Sequence, residues 1–148
     1  MGPLGILRRM RIRPAHAAAL AAVTVILVAC GSSDSGTAGG VDLSDKEFVD
    51  ETGTDAVEVD AVDNNFRPPY IEIDAGTTVT FVNDGRNDHN VIPVVDGAFP
   101  EIPTEDFEPE DTGEVTFDEA GDYPYYCSLH GTKTKGMVGA IKVVEPRE

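Results

Sequence analysis

Hydrophobic and polar residues alternate with a period of two along much of the chain. The alternation is clear where Val57, Val59 and Ala61 are separated by charged residues, and residues 77–83 form a β-branched and aromatic stretch. A period of two places successive side chains on opposite faces of an extended strand, so it predicts strands buried on one side. The predicted strands cover residues 57–62, 71–73, 77–83, 91–95, 114–117, 121–126 and 137–145. Short strands separated by turn residues predict an all-β sandwich over residues 55–148.

The first 29 residues have a different pattern. Residues 1–29 combine four arginines with an apolar stretch and resemble an export signal, here a lipoprotein signal peptide that ends in Leu-Val-Ala-Cys like a bacterial lipobox. In this interpretation Cys30 is the lipidated first residue of the mature protein. The alternative is a transmembrane anchor, but the apolar stretch is shorter than the roughly 20 residues that span a bilayer. We therefore expect an exported protein, anchored by lipid at the outer face of the cell membrane.

Residues 30–54 are expected to connect the lipid to the sandwich as a flexible tether. Residues 31–40 are rich in Gly and Ser, a composition typical of flexible linkers. Ser44 and Glu47 have the spacing of a capping box, which predicts a short helix over residues 43–51.

Charge limits the classes of partner. All 27 acidic residues but only 7 of the 11 basic ones follow Cys30, which gives the mature chain a net charge of −20. This charge argues against nucleic acid and against an anionic bilayer surface as direct partners. It suits contact with a basic patch on a redox partner, and it equally suits solubility alone in a saline habitat. Residues 96–113, called the acidic segment below, are interpreted as a solvated excursion, with partner docking as the alternative.

The candidate chemistry lies near the C-terminal end of the chain. Cys127, His130 and Met137 supply a thiolate, an imidazole and a thioether, and His89 supplies a second imidazole. Two His, one Cys and a weak axial Met are the ligand set of a blue-copper site. If Cys30 carries lipid, Cys127 is the one thiol of an exported domain, where unpaired cysteines are unusual. Metal ligation explains this thiol; packing roles for each residue are the alternative.

The spacing Cys127-x2-His130-x6-Met137, with Gly-Met-Val-Gly at residues 136–139, resembles the C-terminal copper loop of the plastocyanin/azurin family of cupredoxins. The family pattern Cys-x2-His-x4-Met is two residues shorter, which leaves open whether Met137 comes close enough to bind. Residues 64–83 resemble the N-terminal half of cupredoxins. The resemblance implies a cupredoxin-like Greek-key β-sandwich of about seven to eight strands and one type 1 copper per chain. The ligands that it implies are His89, Cys127, His130 and Met137.

The resemblance also implies roles for the neighbours of the ligands. The Asn90 backbone N–H is expected to donate to the Cys127 sulfur, and the Asn90 side chain is expected to bond Ser128 and so join the two ligand loops. His130 is expected to be the partly exposed ligand through which electrons pass, with Leu129 in an apolar rim around it.

Three functions are consistent with these residues. The first is a monomeric, membrane-tethered carrier of single electrons between respiratory or photosynthetic complexes, without enzyme activity. The alternative is a copper-binding protein for buffering or delivery, and the third is a copper-free sandwich used in adhesion. Lys133 and Lys135 are interpreted as keeping the long ligand loop solvated, with steering of an acidic partner as the alternative.

Overall fold

The structure, a computed structural model, describes residues 37–147. The strands of this part of the chain are β1 (Thr37–Ala38), β2 (Val41–Asp42), β3 (Val49–Asp50), β4 (Ala56–Val62), β5 (Asn65–Arg67), β6 (Tyr70–Asp74), β7 (Thr77–Val82), β8 (Ile92–Pro93), β9 (Thr112–Phe117), β10 (Gly121–Thr132) and β11 (Lys135–Val144). One turn of 3-10 helix covers Thr104–Asp106. Within residues 37–147, no helix is long and apolar enough to cross a membrane.

Two sheets form the sandwich. The first sheet has the order β3-β6-β11-β10-β8, and the second has the order β5-β4-β7-β9. The pairs β3–β6, β6–β11 and β4–β7 are parallel, whereas the other pairs in these two sheets are antiparallel. From β6 to β10, each strand lies in the opposite sheet from the strand before it, so the connections cross from one layer to the other. The predicted all-β sandwich is confirmed.

The core lies between the two sheets and follows the alternation in the sequence. Val59 and Ala61 of β4 are fully buried, and the residues between and beside them are more exposed. Three aromatic rings, those of Phe66, Phe81 and Tyr125, pack edge to face with centroids 4.8 to 6.4 Å apart. Such pairs contribute about 0.5–1.5 kcal/mol each beyond the burial of their area. This cluster joins the second sheet to β10, the strand that leads into the predicted ligand loop.

The segment before β4 differs from the expectation of a flexible tether. The predicted helix over residues 43–51 is wrong, because this stretch contains a turn followed by β3, which pairs with β6. Leu43 is buried, and the Phe48 ring packs on Tyr70 with centroids 5.7 Å apart. These contacts with the first sheet outweigh the local capping signal. The predicted signal peptide and the lipidated Cys30 lie outside the described residues.

Candidate metal centre

The hairpin of β10 and β11 carries three of the four predicted ligands. Its ladder is interrupted between Tyr126 and Gly131. In this gap β10 supplies four residues, 127–130, whereas β11 supplies only Met137. Extra residues on one strand bend it and redirect its side chains. The thiol and the imidazole at the two ends of the bulge are thereby brought to the same side.

The two extra residues of the ligand loop lie beyond this bulge. The ladder resumes with Gly131 opposite Gly136, and the hairpin tip is formed by residues 133–134. The longer spacing therefore extends the hairpin beyond this rung and leaves Met137 opposite the bulge. Met137 is 1% exposed and belongs to the same buried cluster as Cys127. The strand register thus places Met137 beside the bulge despite the longer loop.

Two positions of the Gly-Met-Val-Gly sequence require glycine for steric reasons. Gly136 has a φ of +85°, and a Cβ there would lie 2.5 Å from the carbonyl oxygen of His130. Gly139 lies opposite Tyr125, and a Cβ there would lie 2.5 Å from the Tyr125 hydroxyl and 2.7 Å from the Pro69 carbonyl. Only a residue without a side chain fits either position. The motif therefore shapes the hairpin on both sides of Met137.

His89 comes from the connection between β7 and β8. Its backbone N–H donates to the Phe107 carbonyl at 3.3 Å, and the Asn83 side chain donates to the same carbonyl at 2.9 Å. Val91 pairs with Ile102 in an isolated bridge. These partners all belong to the acidic segment or to the end of β7. Long-range contacts therefore position this ligand, as its separation from the other three in the sequence requires.

The three nitrogen and sulfur donors lie close together. The Cys127 Sγ is 3.8 Å from Nδ1 of His89 and 3.6 Å from Nδ1 of His130, and the three donors lie within 4.8 Å of one another. Bonds of about 2.3 Å to sulfur and about 2.0 Å to nitrogen, the lengths seen for zinc, place sulfur and nitrogen about 3.7 Å apart at a 120° angle. The two observed sulfur–nitrogen distances are close to this value, so the cluster fits a first-row metal ion bound by the thiolate and the two imidazoles.

Burial differs among the donors. Cys127 and His89 are both 0% exposed, whereas His130 is half-buried. Burial and, to a lesser extent, the nearby His130 imidazole lower the pKa of His89, and Asp88 opposes this shift. A lower pKa favours the neutral imidazole, which has a free lone pair for a metal ion. The chain therefore offers a site that is closed on one side and open at a single imidazole.

The predicted link between the two ligand loops is present. The Ser128 backbone N–H donates to Asn90 Oδ1 at 2.8 Å, and Asn90 Nδ2 donates to Ser128 Oγ at 2.8 Å. Asn90 Nδ2 also donates to Thr104 Oγ1 at 3.2 Å. The predicted bond from the Asn90 backbone N–H to the Cys127 sulfur is not among the hydrogen bonds found in residues 37–147. The side chain of Asn90, rather than its backbone, thus joins the loops.

Sequence reasoning missed several residues that support the site. The acidic segment differs from the predicted solvated excursion, because Phe99, Ile102 and Phe107 are buried in the core. The apolar residues at these intervals in an otherwise acidic stretch are the signal that identifies its buried side. Lys133 was also missed as a structural residue, since its Nζ donates to the Val94 carbonyl at 2.8 Å.

Comparison with known proteins gives relatives for most of the domain. The profile of the copper binding proteins of the plastocyanin/azurin family matches residues 54–144. Halocyanin from Natronomonas pharaonis is 39% identical over 108 residues, 68% of this chain and 64% of halocyanin. Plastocyanin from Vicia faba is 37% identical over 87 residues, 53% of this chain and 86% of that protein. The chain spans 64% and 51% of the length of halocyanin and of pea plastocyanin.

Solved structures agree with these relatives. A reduced amicyanin mutant has a TM-score of 0.53 and 30% identity over 64% of this chain and 87% of its own. A purple cupredoxin from Nitrosopumilus maritimus has a TM-score of 0.51 and 28% identity over 60% of this chain and 99% of its own. A Cu-containing nitrite reductase from Thermus scotoductus has a TM-score of 0.51 and 32% identity over 62% of this chain, but only 23% of its own. Together with the family profile, which covers more than half of the chain, these likenesses lead to one conclusion: the chain belongs to the plastocyanin/azurin family of copper-binding proteins.

Proposed function

We propose that this protein holds one copper ion through His89, Cys127, His130 and Met137 and carries single electrons between redox partner proteins. The observation that supports this proposal is the cluster of one buried thiol, one buried imidazole and one half-buried imidazole at distances that a single metal ion can bridge. Copper, when bound in such a site, supplies a one-electron change between Cu(II) and Cu(I). The residues of the chain hold the ligand geometry, exclude water and leave one exit for the electron.

The ligands are held in place by the fold. The thiol and one imidazole are fully buried, and the Asn90 side chain joins their two connections through Ser128. A site that is already arranged needs little movement when an ion binds or changes its charge. Small rearrangement is the property that electron transfer requires, so the rigid surroundings favour a carrier.

The exit for the electron is the half-buried His130. Its neighbour Leu129 is 51% exposed and is among the few large apolar side chains left open to solvent in the described part of the chain. An apolar contact next to the open ligand lets a partner exclude water and approach this imidazole. The acidic segment beside the site, with Glu105 and Asp106 in its 3-10 turn, suits a partner with a basic face.

Copper buffering or delivery is the second function to be tested. A delivered ion has to leave the site quickly, whereas two of the three clustered donors are fully buried here. The likeness to nitrite reductase covers 23% of that enzyme, and the proposal for this chain is a carrier and not an enzyme.

We further propose that lipid on Cys30 holds the mature protein at the outer face of the membrane, near respiratory or photosynthetic complexes. The support for this location is the lipobox-like sequence that precedes Cys30. The test is fractionation after expression in a bacterium that processes lipoproteins. Wild type is expected in the membrane fraction and Cys30→Ser in the soluble fraction; equal distribution of the two contradicts lipid anchoring.

The copper proposal is tested by titrating the full chain with Cu(II) while recording its visible absorption and its electron paramagnetic resonance spectrum. Wild type is expected to develop an intense thiolate-to-copper band that saturates at one equivalent and bleaches with reductant. Cys127→Ser is expected to lose the band, and Thr134→Ala, at the exposed hairpin tip, is the control that keeps it. A colourless wild-type protein contradicts the copper site.

A second measurement separates a carrier from a delivery protein. The rate at which copper passes to a chelator in excess is compared with the rate of electron exchange with a basic redox protein such as a cytochrome. A carrier retains its copper over many electron exchanges. Loss of copper to the chelator faster than electron exchange favours delivery.

A further inference from the structure

Lys133, at the tip of the ligand hairpin, has a specific partner. Its Nζ donates to the Val94 carbonyl oxygen at 2.8 Å, and Asp96 lies 3.9 Å from the same ammonium group. The side chain of Asp96 is 99% exposed, so this ion pair contributes little. The bond to the carbonyl is partly buried and has a charged donor, which makes it the stronger of the two contacts. The side chain of Lys135, two residues further on, makes no hydrogen bond or ion pair among the described residues.

Val94 belongs to a fixed part of the sheet. It follows β8, which pairs with β10 through Tyr125 and Tyr126, and its own N–H donates to the Pro124 carbonyl at 2.9 Å. β8 directly follows the connection that carries His89. The Lys133 ammonium therefore bonds to the same chain segment that carries His89, five residues further along.

The hairpin tip has little packing of its own. Residues 133–134 line a cavity of about 310 Å³, together with residues 40–43 of the N-terminal segment and with Pro124 and Val138 of the sheet. A tip that closes over a cavity makes few van der Waals contacts on that side. The bond from Lys133 to Val94 therefore adds to the two ladder pairs beside the tip in fixing where the tip lies.

We propose that Lys133 is a positioning residue for the copper ligands, which holds the extended ligand hairpin against the segment that carries His89. The hairpin and the segment that carries His89 are thus joined at two points, by the bond from Lys133 to Val94 and by the link between Asn90 and Ser128. Fixing the tip keeps the rung of Gly131 and Gly136 closed, and that rung borders the bulge with the ligands. The effect of Lys133 on the copper ligands rests on the proposed function, whereas the bond from Lys133 to Val94 does not.

The inference is tested on the full chain with Lys133→Met, which keeps the aliphatic stem and removes the ammonium group. Lys135→Met is the matched control, because it changes the charge by the same amount two residues away. The first readout needs no metal: amide hydrogen exchange of residues 131–136 in the metal-free protein. Protection is expected to fall about tenfold in Lys133→Met and to stay unchanged in Lys135→Met. Equal protection in the two variants overturns the inference.

The second readout is the copper hyperfine splitting in the electron paramagnetic resonance spectrum of the Cu(II)-loaded protein, with Lys133→Arg as a rescue variant. Arginine keeps a charged donor, so it is expected to restore the wild-type splitting that Lys133→Met changes. An unchanged spectrum in Lys133→Met shows that the tip does not position the ligands and overturns the inference. If wild type binds no copper, the proposed function fails, while the exchange measurement still decides whether Lys133 holds the hairpin.

Discussion

Replacing Asn90 with alanine removes the side chain that joins the two ligand-bearing connections. Three hydrogen bonds are lost, two with Ser128 at 2.8 Å and one with Thr104 at 3.2 Å. At about 0.5–1.5 kcal/mol for each bond, the full loss amounts to about 1.5–4.5 kcal/mol. Because Ser128 is exposed, water replaces its lost partners, and the lower half of that range applies. We expect the free energy of unfolding to fall by about 2 kcal/mol.

The assay is denaturant unfolding of the metal-free full chain, followed by circular dichroism. Ser128→Ala removes only the hydroxyl and keeps the backbone N–H that donates to Asn90, so we expect a loss of about 1 kcal/mol. Asn87→Ala is the control, because the exposed Asn87 side chain donates one hydrogen bond, to Asn64 Oδ1 at 2.9 Å. Its loss should lower the free energy of unfolding by about 0.5 kcal/mol or less. Equal losses for the Asn90 and Asn87 variants refute the reasoning.

The same variants separate stability from ligand positioning. If Asn90 orients the ligands through Ser128, Asn90→Ala should bind copper about 10- to 100-fold more weakly than wild type. Competition with a coloured chelator measures this affinity, and Asn87→Ala should bind like wild type. A loss of stability with unchanged copper affinity shows that the link supports the fold alone.

Other predictions follow from packing and exposure. Gly139→Ala should destabilise the fold by about 3 kcal/mol, because its Cβ overlaps Tyr125 and Pro69, whereas Gly40→Ala, with open space around it at a φ of +82°, should cost about 1 kcal/mol; similar unfolding midpoints contradict this. Tyr125→Phe removes a buried hydroxyl without a partner among the described residues and should raise the free energy of unfolding by about 1 kcal/mol. If the free energy measured by denaturant unfolding falls instead, the hydroxyl has a hydrogen-bond partner. Leu129→Ala should leave stability within about 0.5 kcal/mol and slow electron exchange with a basic cytochrome about tenfold in stopped-flow measurements; an unchanged rate excludes Leu129 from the docking surface.

Local patterns were sufficient for β4, for β6 to β11 and for the identity of the donor residues, but not for β1, β2, β3 and β5. The alternation in β4 translates directly into buried Val59 and Ala61, because each side chain of a strand faces the side opposite its neighbours. The convergence of Cys127 with His89 was predicted from the types of residue and from resemblance. The distances between the donors depend on contacts between residues far apart in sequence, and only the fold supplies them.

The helix over residues 43–51 and the position of Met137 both depend on which strands pair in space, and distance along the sequence does not give this pairing. The capping signal at Ser44 predicts a helix, but Leu43 is buried, Phe48 packs on Tyr70 of the first sheet, and the chain forms β3 instead. The position of Met137 remained open because the loop is long. The register of β10 and β11 places Met137 opposite the bulge, and the length of the loop does not determine this register.

The closed rung beyond the ligand bulge has a consequence for how such loops can change length. Because Gly131 and Gly136 pair across the hairpin, residues inserted at the tip in pairs lengthen both arms equally and leave every existing rung intact. A single inserted residue has to widen the turn or shift the register, and a shift by one turns every side chain of that arm to the opposite face. Insertions of even number thus keep both the turn and the register, whereas an odd number requires a wider turn to keep the register, and the two residues by which this loop exceeds the family spacing obey that parity. A peptide graft at residues 133–134 with an even number of residues should therefore leave the copper ligands undisturbed, provided that another donor takes over the bond to Val94.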